Sequence, residues 1–295
     1  MIQTKNTIIT QCKYGIMAYY ITDDPIGTCL FYYGEWAEHE LEIISKLINQ
    51  KSNCIDVGAN IGTHTLFLSQ KCPEGLIFSV EPQFYIFQLL NTNLVLNDAT
   101  NCVPIRSFIM NKRDKIKTTS LFLPPKDNEN RKLNYGQFNI RDYLNNEGVS
   151  TEIIKLDDID YMGRKIDFIK MDCEGSELDV LLSGQQTIKT NKPHMYLEFN
   201  NKAGNDELLH SLNDMGYTCY WHVYTKYNSN NFKGHKRNIY LYEDQQDAPP
   251  TYSTIDSHFE ANIVCIHRTH KMQFGEKVES GDNVINYLLR HKVIK

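Results

Sequence analysis

Between Cys54 and Met215, apolar runs of a few residues alternate with longer segments whose apolar positions recur every three or four residues. The short runs predict buried strands at Cys54–Val57, Leu76–Val80, Cys102–Ile105, Phe168–Met171 and Met195–Phe199. The periodic segments predict helices at Thr63–Gln70, Phe84–Leu96, Ser176–Leu182 and Asp206–Met215. Near-continuous apolar strands separated by helices of this length specify an α/β fold. The sheet should be mostly parallel, Rossmann-like, with helices on both faces.

The flanks are less regular. Leu41, Ile44, Leu47 and Ile48 predict an amphipathic helix over Glu38–Ile48, ahead of the first strand. Residues 7–33 alternate between apolar and polar positions, with Asp23-Asp24-Pro25-Ile26-Gly27 as the turn, which suggests a small hairpin. Residues 1–33 then form a β-rich extension before a single domain over 34–295. A long insertion at 111–150, marked by Pro124-Pro125, charges and Asn-rich turns, interrupts that domain before a strand at Glu152–Lys155. A substrate-side tail begins at about 217, with strands at Tyr217–Val223, Asn238–Tyr242 and Ile263–His267 and a last helix at Asn283–Arg290. Gln245–Ser257 is a Pro/Asp-rich loop.

Charge and composition narrow the function. Thirty-one Lys plus Arg against 36 Asp plus Glu give a formal charge of −5 without a long basic run, so no nucleic-acid partner is expected. No apolar run approaches membrane-spanning length and nothing reads as a signal peptide. Eight scattered cysteines without a CxxC pair suit a reducing compartment, and a cytoplasmic protein is expected. Oligomeric state is open.

The chemistry begins at Cys54-Ile55-Asp56-Val57-Gly58-Ala59-Asn60-Ile61-Gly62-Thr63-His64, a strand turning through glycines into a helix. Glu81, 25 residues after Asp56, ends the next strand, where a carboxylate can accept from two ribose hydroxyls. Glycine at 58 and 62 permits the sharp exit and leaves room for a ligand near the backbone. Asp56 organises the loop or meets the amino-acid part of the ligand. The G-x-x-x-G spacing lacks the G-x-G-x-x-G provision for a pyrophosphate, which disfavours a nicotinamide dinucleotide and its dehydrogenase chemistry.

These segments resemble the FkbM family of class I S-adenosylmethionine-dependent methyltransferases. The likeness lies in Ile55–Gly62, Ser79-Val80-Glu81-Pro82, Lys155-Leu156-Asp157-Asp158-Ile159, Asp167–Glu177 and Lys192–Glu198, and covers about residues 34–200. It implies that Asp56, Gly58, Ala59, Asn60, Gly62 and Glu81 hold S-adenosylmethionine. By position Arg106 and Ser107 would lie beside the adenine, and Gly34-Glu35-Trp36 resembles the segment over the cofactor. Family members typically methylate hydroxyl oxygens, often of sugars or secondary metabolites. A small-molecule or carbohydrate acceptor and O-methylation are therefore expected; the alternative is an inactive nucleoside-binding scaffold.

At the far edge Asp172 follows a strand, and Glu198 and Asn200 end the next, two apart and on one side. Asp172 and Glu198 are the candidate proton acceptors. With Asn200 they also offer oxygen ligands for Mg2+ or another divalent cation, an arrangement similar to that of metal-dependent class I oxygen methyltransferases; ordinary loop hydrogen bonding is the competing explanation. Glu177 suits a helix cap, and His64 a packed or cofactor-side position with local-base chemistry as the lesser alternative. His267 and His270 are candidates to approach the acceptor. Tyr217, Tyr220, Trp221, His222, Tyr224 and Tyr227 suit burial or stacking on a sugar.

Overall fold

The computed structural model describes residues 1–118, 134, 144–145, 149–199, 204–241 and 258–293. The chain opens with β1 (Ile2–Gln3), β2 (Thr7–Cys12), β3 (Gly15–Tyr20), α1 (Ile26–Tyr32) and α2 (Glu38–Ile44). The alternating segment follows as β4 (Cys54–Val57), α3 (Thr63–Lys71), β5 (Ile77–Val80), α4 (Phe84–Leu96) and β6 (Cys102–Ile105). Next come β7 (Ser107–Ile109), β8 (Asp114–Thr118), β9 (Leu144–Asn145) and β10 (Val149–Ile154). Then β11 (Phe168–Met171), α5 (Glu177–Ser183), α6 (Gln185–Asn191), β12 (His194–Glu198) and α7 (Asn205–Asp214) resume the alternation. The described chain ends with β13 (Tyr217–Thr225), β14 (Phe259–His267) and α8 (Val284–Arg290).

Seven strands form the main sheet, in the order β13-β14-β12-β11-β4-β5-β6. Those from β12 to β6 are parallel, and β14 runs antiparallel to both β12 and β13. This is the α/β architecture expected from the alternation, in the class I methyltransferase-like form that the family resemblance implies. From β4 the chain winds outward through β5 and β6, then restarts beside β4 at β11. Loops leaving β4 and β11 diverge at that switch, opening a crevice at the carboxyl edge.

Two-residue strand periodicity sorts the core into layers. Ile55, Phe78, Ile169 and Leu197 face Val180 and Leu181 of α5 and Leu208 and Leu212 of α7. Cys54, Ile77, Phe168 and Tyr196 face Leu41 and Ile44 of α2 and Phe67 and Leu68 of α3. Asp56 and Lys170 share this second face, because each lies two residues beyond one of its members.

The amino-terminal hairpin packs on α4 through two asparagines. Asn93 Oδ1 accepts from Ala18 N at 2.7 Å and Nδ2 donates to Ala18 O at 3.0 Å. One turn later Asn97 makes the same pair with Ile16 N and O, both at 2.7 Å. Four helical residues rise about 6 Å and two strand residues about 6.6 Å, so the two amides match the backbone of β3 as a neighbouring strand would. Asn93 Nδ2 also reaches Ile61 O at 2.8 Å, tying the hairpin to the glycine loop.

Several expectations change. The hairpin turns at Lys13-Tyr14, whereas 23–27 lead into α1, with Asp23 Oδ2 accepting from Gly27 N at 3.2 Å. Parts of the 111–150 insertion are strands: β8 and β9 join β7 and β10 in a second sheet ordered β7-β10-β8-β9. Residues 238–241 are turns, not a strand. Pro124-Pro125, Tyr242 and Gln245–Ser257 lie outside the described residues. No helix among the described residues is long and apolar enough to cross a membrane, and all eight cysteines are free.

Replacing buried Asn93 by Ala strands the Ala18 N–H and two carbonyls, and should cost about 2–4 kcal/mol; Asn97→Ala, at a half-buried site, should cost about 1 kcal/mol. Urea unfolding of the two variants measures the difference. Equal small losses would show that the amides do not hold the hairpin.

Candidate active site

Beyond β4 the chain turns at Gly58 (φ 80°), Asn60 (φ 50°) and Gly62 (φ 92°). A Cβ on Gly58 would sit 1.9 Å from the Asp172 carbonyl oxygen, and one on Gly62 2.7 Å from Leu90 Cδ1. Protein packing against the loop after β11 and against α4 therefore already demands both glycines. Room for a ligand, the reason inferred from sequence, is not what a side chain there would first fill. The loop so placed donates Asn60 N to Glu81 Oε2 at 3.1 Å, while Gln83 N donates to Oε1 at 2.8 Å.

Glu81 is only 3% exposed and forms a common wall of two cavities. The larger, of about 460 Å3, is bordered on this side by Trp36, Gly58, Ala59, Asn60 and Thr63. The smaller is an apolar slot of about 60 Å3 between Pro82, Ser107, Phe108, Met110 and Val180. Burial pushes the Glu81 carboxyl up to about 7, although the two backbone N–H donors favour its charged form.

A buried ammonium organises the floor. Lys170, 2% exposed, lies opposite Asp56 in the parallel register of β11 and β4. Its Nζ is 3.1 Å from Asp172 Oδ2 and 3.9 Å from Asp56 Oδ1. Burial alone would lower the amine's pKa, but Asp172, Asp56 and Glu40 outweigh it and raise it, so Lys170 stays charged. Asp56 is fully buried beneath the loop and accepts from Thr65 Oγ1 at 2.7 Å, so its contacts are with protein rather than with either cavity.

On the opposite wall stand Asp172, Glu174 and Glu198, whose carboxylate oxygens lie within 4.8 Å of one another. Asn200, the third expected ligand, is outside the described residues. Glu177 accepts from Cys173 N at 2.9 Å and Gly175 N at 3.3 Å, shaping the loop. The wall continues through Tyr224, Asn262 and an ion pair of Lys226 with Glu260 at 2.8 Å.

Other candidates lie elsewhere. Glu35 is bound by Asn228 Nδ2 and by Phe232 N at 2.9 Å, with Lys13 at 3.7 Å, and lines neither cavity. The Arg106 guanidinium lies over Phe84 and donates to Ser150 O at 3.1 Å, also outside both cavities. His267 and His270 fall at the opposite edge of the sheet, because antiparallel β14 ends where β12 begins. Tyr217, Tyr220 and Trp221 are buried, leaving Tyr224 from that stretch at the cleft. Lys170, although inside the Asp167–Glu177 segment, was given no role, and Glu40 belonged to none of the segments that carry the likeness. Their signal was a charge on a buried face: Lys170 within an apolar strand, and Glu40 four residues before Ile44 on the buried stripe of α2.

Lys170→Met would leave Asp56 and Glu40 buried beside each other's field without a cation, at a cost of about 3–5 kcal/mol. Chemical denaturation measures it. A variant as stable as the parent would show that the ammonium does not organise the floor.

The model of the methyltransferase FkbM domain matches residues 56–219 of this chain. Methyltransferase sdnD of Sordaria araneosa is 41% identical over 49 residues, 17% of this chain and 19% of its own length. Among solved structures, methyltransferase FkbM from Methylobacillus flagellatus KT is similar at 16% identity and a TM-score of 0.46, over 81% of this chain and 51% of that one. TYW2 of M. jannaschii, solved in complex with AdoMet, is similar at 12% identity and a TM-score of 0.43, over 90% and 87% of the two chains. The chain thus spans about a fifth of sdnD and about half of the FkbM structure. With the family model matched across 56–219 of its 295 residues, from the glycine loop into β13, the chain belongs to the FkbM methyltransferase family.

Proposed function

We propose that this protein is an S-adenosylmethionine-dependent O-methyltransferase acting on a hydroxyl of a sugar, glycan or small metabolite. The observation that carries this reading is Glu81, a buried carboxylate on the shared wall of a polar cavity and an apolar slot. Asn60 N and Gln83 N each donate to one carboxylate oxygen and the Gln83 side chain also engages the group, which holds the carboxylate in place as an acceptor for a vicinal ribose diol. The narrow apolar slot beside Ser107 and Phe108 offers a surface against which one edge of a purine can pack, and the larger cavity is of small-molecule size. S-adenosylmethionine, when bound, supplies an electrophilic methyl carbon on a cationic sulfur.

The residues of the chain then have separable tasks. Glu81 and the loop 58–60 orient the nucleoside, while Trp36 covers the adjoining part of the cleft. Asp172 and Glu198 orient acceptor hydroxyls from the far wall, which reduces the entropic cost of alignment. Asp172, Glu174 and Glu198 also present the hard oxygen donors that Mg2+ prefers, although Lys170 already engages Asp172 Oδ2. A divalent cation is the part of the proposal that the magnesium arm of the experiment decides.

The test is calorimetric binding of S-adenosylhomocysteine with and without Mg2+. Only the ionised Glu81 accepts from both hydroxyls, so below its pKa of about 7 a proton must leave before the ligand binds. Affinity should weaken about tenfold for each pH unit below that point and level off above it. Glu81→Gln should bind weakly, with a flat profile. Folded protein that binds no S-adenosylhomocysteine at any pH would sink the reading, and affinity indifferent to Mg2+ would remove the metal.

A further inference from the structure

His64, at the start of α3, has an ionic partner that its surroundings in the sequence do not suggest. Its Nε2 lies 2.9 Å from Glu40 Oε2, and both residues line the larger cavity. The other Glu40 oxygen accepts from Tyr224 OH and, at 2.9 Å, from Asn262 Nδ2. Asn262 also donates to Tyr196 OH at 3.0 Å, and that hydroxyl is 2.7 Å from His222 Nδ1. Glu40 is therefore fixed from α3, β13 and β14 at once. Burial by itself would raise its carboxyl, but the hydrogen bond and charge pairing with His64, the charge of Lys170 and the Tyr224 hydroxyl hold it down at about 2.

An ionised carboxylate can only accept. Neutral His64 must then carry its ring hydrogen on Nε2, which leaves the Nδ1 lone pair available. Nδ1 has no hydrogen-bond partner among the described residues. Of the two rival proton acceptors, Asp172 and Glu198, Asp172 already has Oδ2 engaged by the Lys170 ammonium at 3.1 Å, and Glu198 stands with it on the far wall.

We propose that Glu40 and His64 form the proton-accepting dyad of the cleft, with His64 Nδ1 as the base and Glu40 as the residue that positions it. The proposal rests on the S-adenosylmethionine reading above. The acceptor O–H proton passes to Nδ1, and the electron pair it leaves on oxygen forms the new bond to the methyl carbon. The carbon–sulfur bond breaks with its pair retained by sulfur, giving a neutral thioether. The imidazolium formed is neutralised by Glu40 and returns its proton to water. The other titratable groups facing this cleft are Glu81 from the end of β5, Lys170, Asp172 and Glu174 from β11 and its loop, Glu198 from β12, Tyr224 and Lys226 from β13 and the residue after it, Tyr240, and Glu260 from β14.

Two measurements on the full chain test this without an identified acceptor. Long-range nitrogen–proton NMR correlations report the tautomer of His64. The Nε2-protonated form should dominate in the parent, and Glu40→Gln, which can donate as well as accept, should lose that preference. An Nδ1-protonated ring in the parent would overturn the proposal.

The second measurement is the ratio of affinities for S-adenosylmethionine and S-adenosylhomocysteine as a function of pH, in the parent and in His64→Gln. A base poised at the methyl group repels the cationic sulfur once protonated. The ratio should therefore fall about five- to tenfold toward low pH, and His64→Gln should flatten most of that fall. Any part owed to Glu81 persists in the variant. Superimposable profiles for parent and His64→Gln, with both ligands bound, would sink the dyad alone. Failure of both ligands to bind would sink the cofactor reading and the dyad with it.

Discussion

The buried ammonium of Lys170 is the constraint around which the cleft is arranged. An isolated charge at that depth would be unstable, and so would the carboxylates of Asp56 and Glu40 without it. Together they form a polar layer on the α2–α3 face of the sheet, beneath the edge where the strands diverge. The layer spans elements far apart in the chain, from α2 to β11. Any shift in the register of β4 against β11 would separate Asp56 from Lys170 and turn one of them toward the apolar α5–α7 face. Charge pairing and strand register therefore reinforce each other.

Above this layer, close packing fixes the loops. The Asp172 carbonyl touches the space a Gly58 side chain would fill, so the loops after β4 and β11 are held against one another. Asn93 joins the same glycine loop to the amino-terminal hairpin through Ile61 and Ala18. Hairpin, α4 and glycine loop are thus tied together through one side chain. That rigidity suits a site whose donors must stay aligned while a small ligand enters.

Regular segments were legible because their side-chain periodicity is local. Cys54–Val57, Phe84–Leu96 and Phe168–Met171 coincide with the elements their apolar spacing specified. The hairpin turn was misplaced because Asp-Asp-Pro-Ile-Gly carries strong turn chemistry, yet in context the segment leads into α1, where Asp23 accepts from Gly27 N in the first turn. The strands within 111–150 were missed because they pair with β7 and β10, partners that local composition does not reveal. His267, a candidate to approach the acceptor, falls at the opposite edge because strand direction is a property of the sheet. Glu40 was the largest omission at the site: its partners His64, Tyr224 and Asn262 come from three separate elements.

By itself the sequence determined the alternation of strands and helices, the family and the place of Glu81 beside the glycine loop, since each depends on local pattern. The tertiary structure decided which charges meet. It set Lys170 between Asp56 and Asp172, gave His64 its carboxylate, withdrew Glu35 and Arg106 from the cavities and sent His267 to the far edge. Electrostatic pairing depends on distance and burial, and both are set by how distant segments pack rather than by their order along the chain.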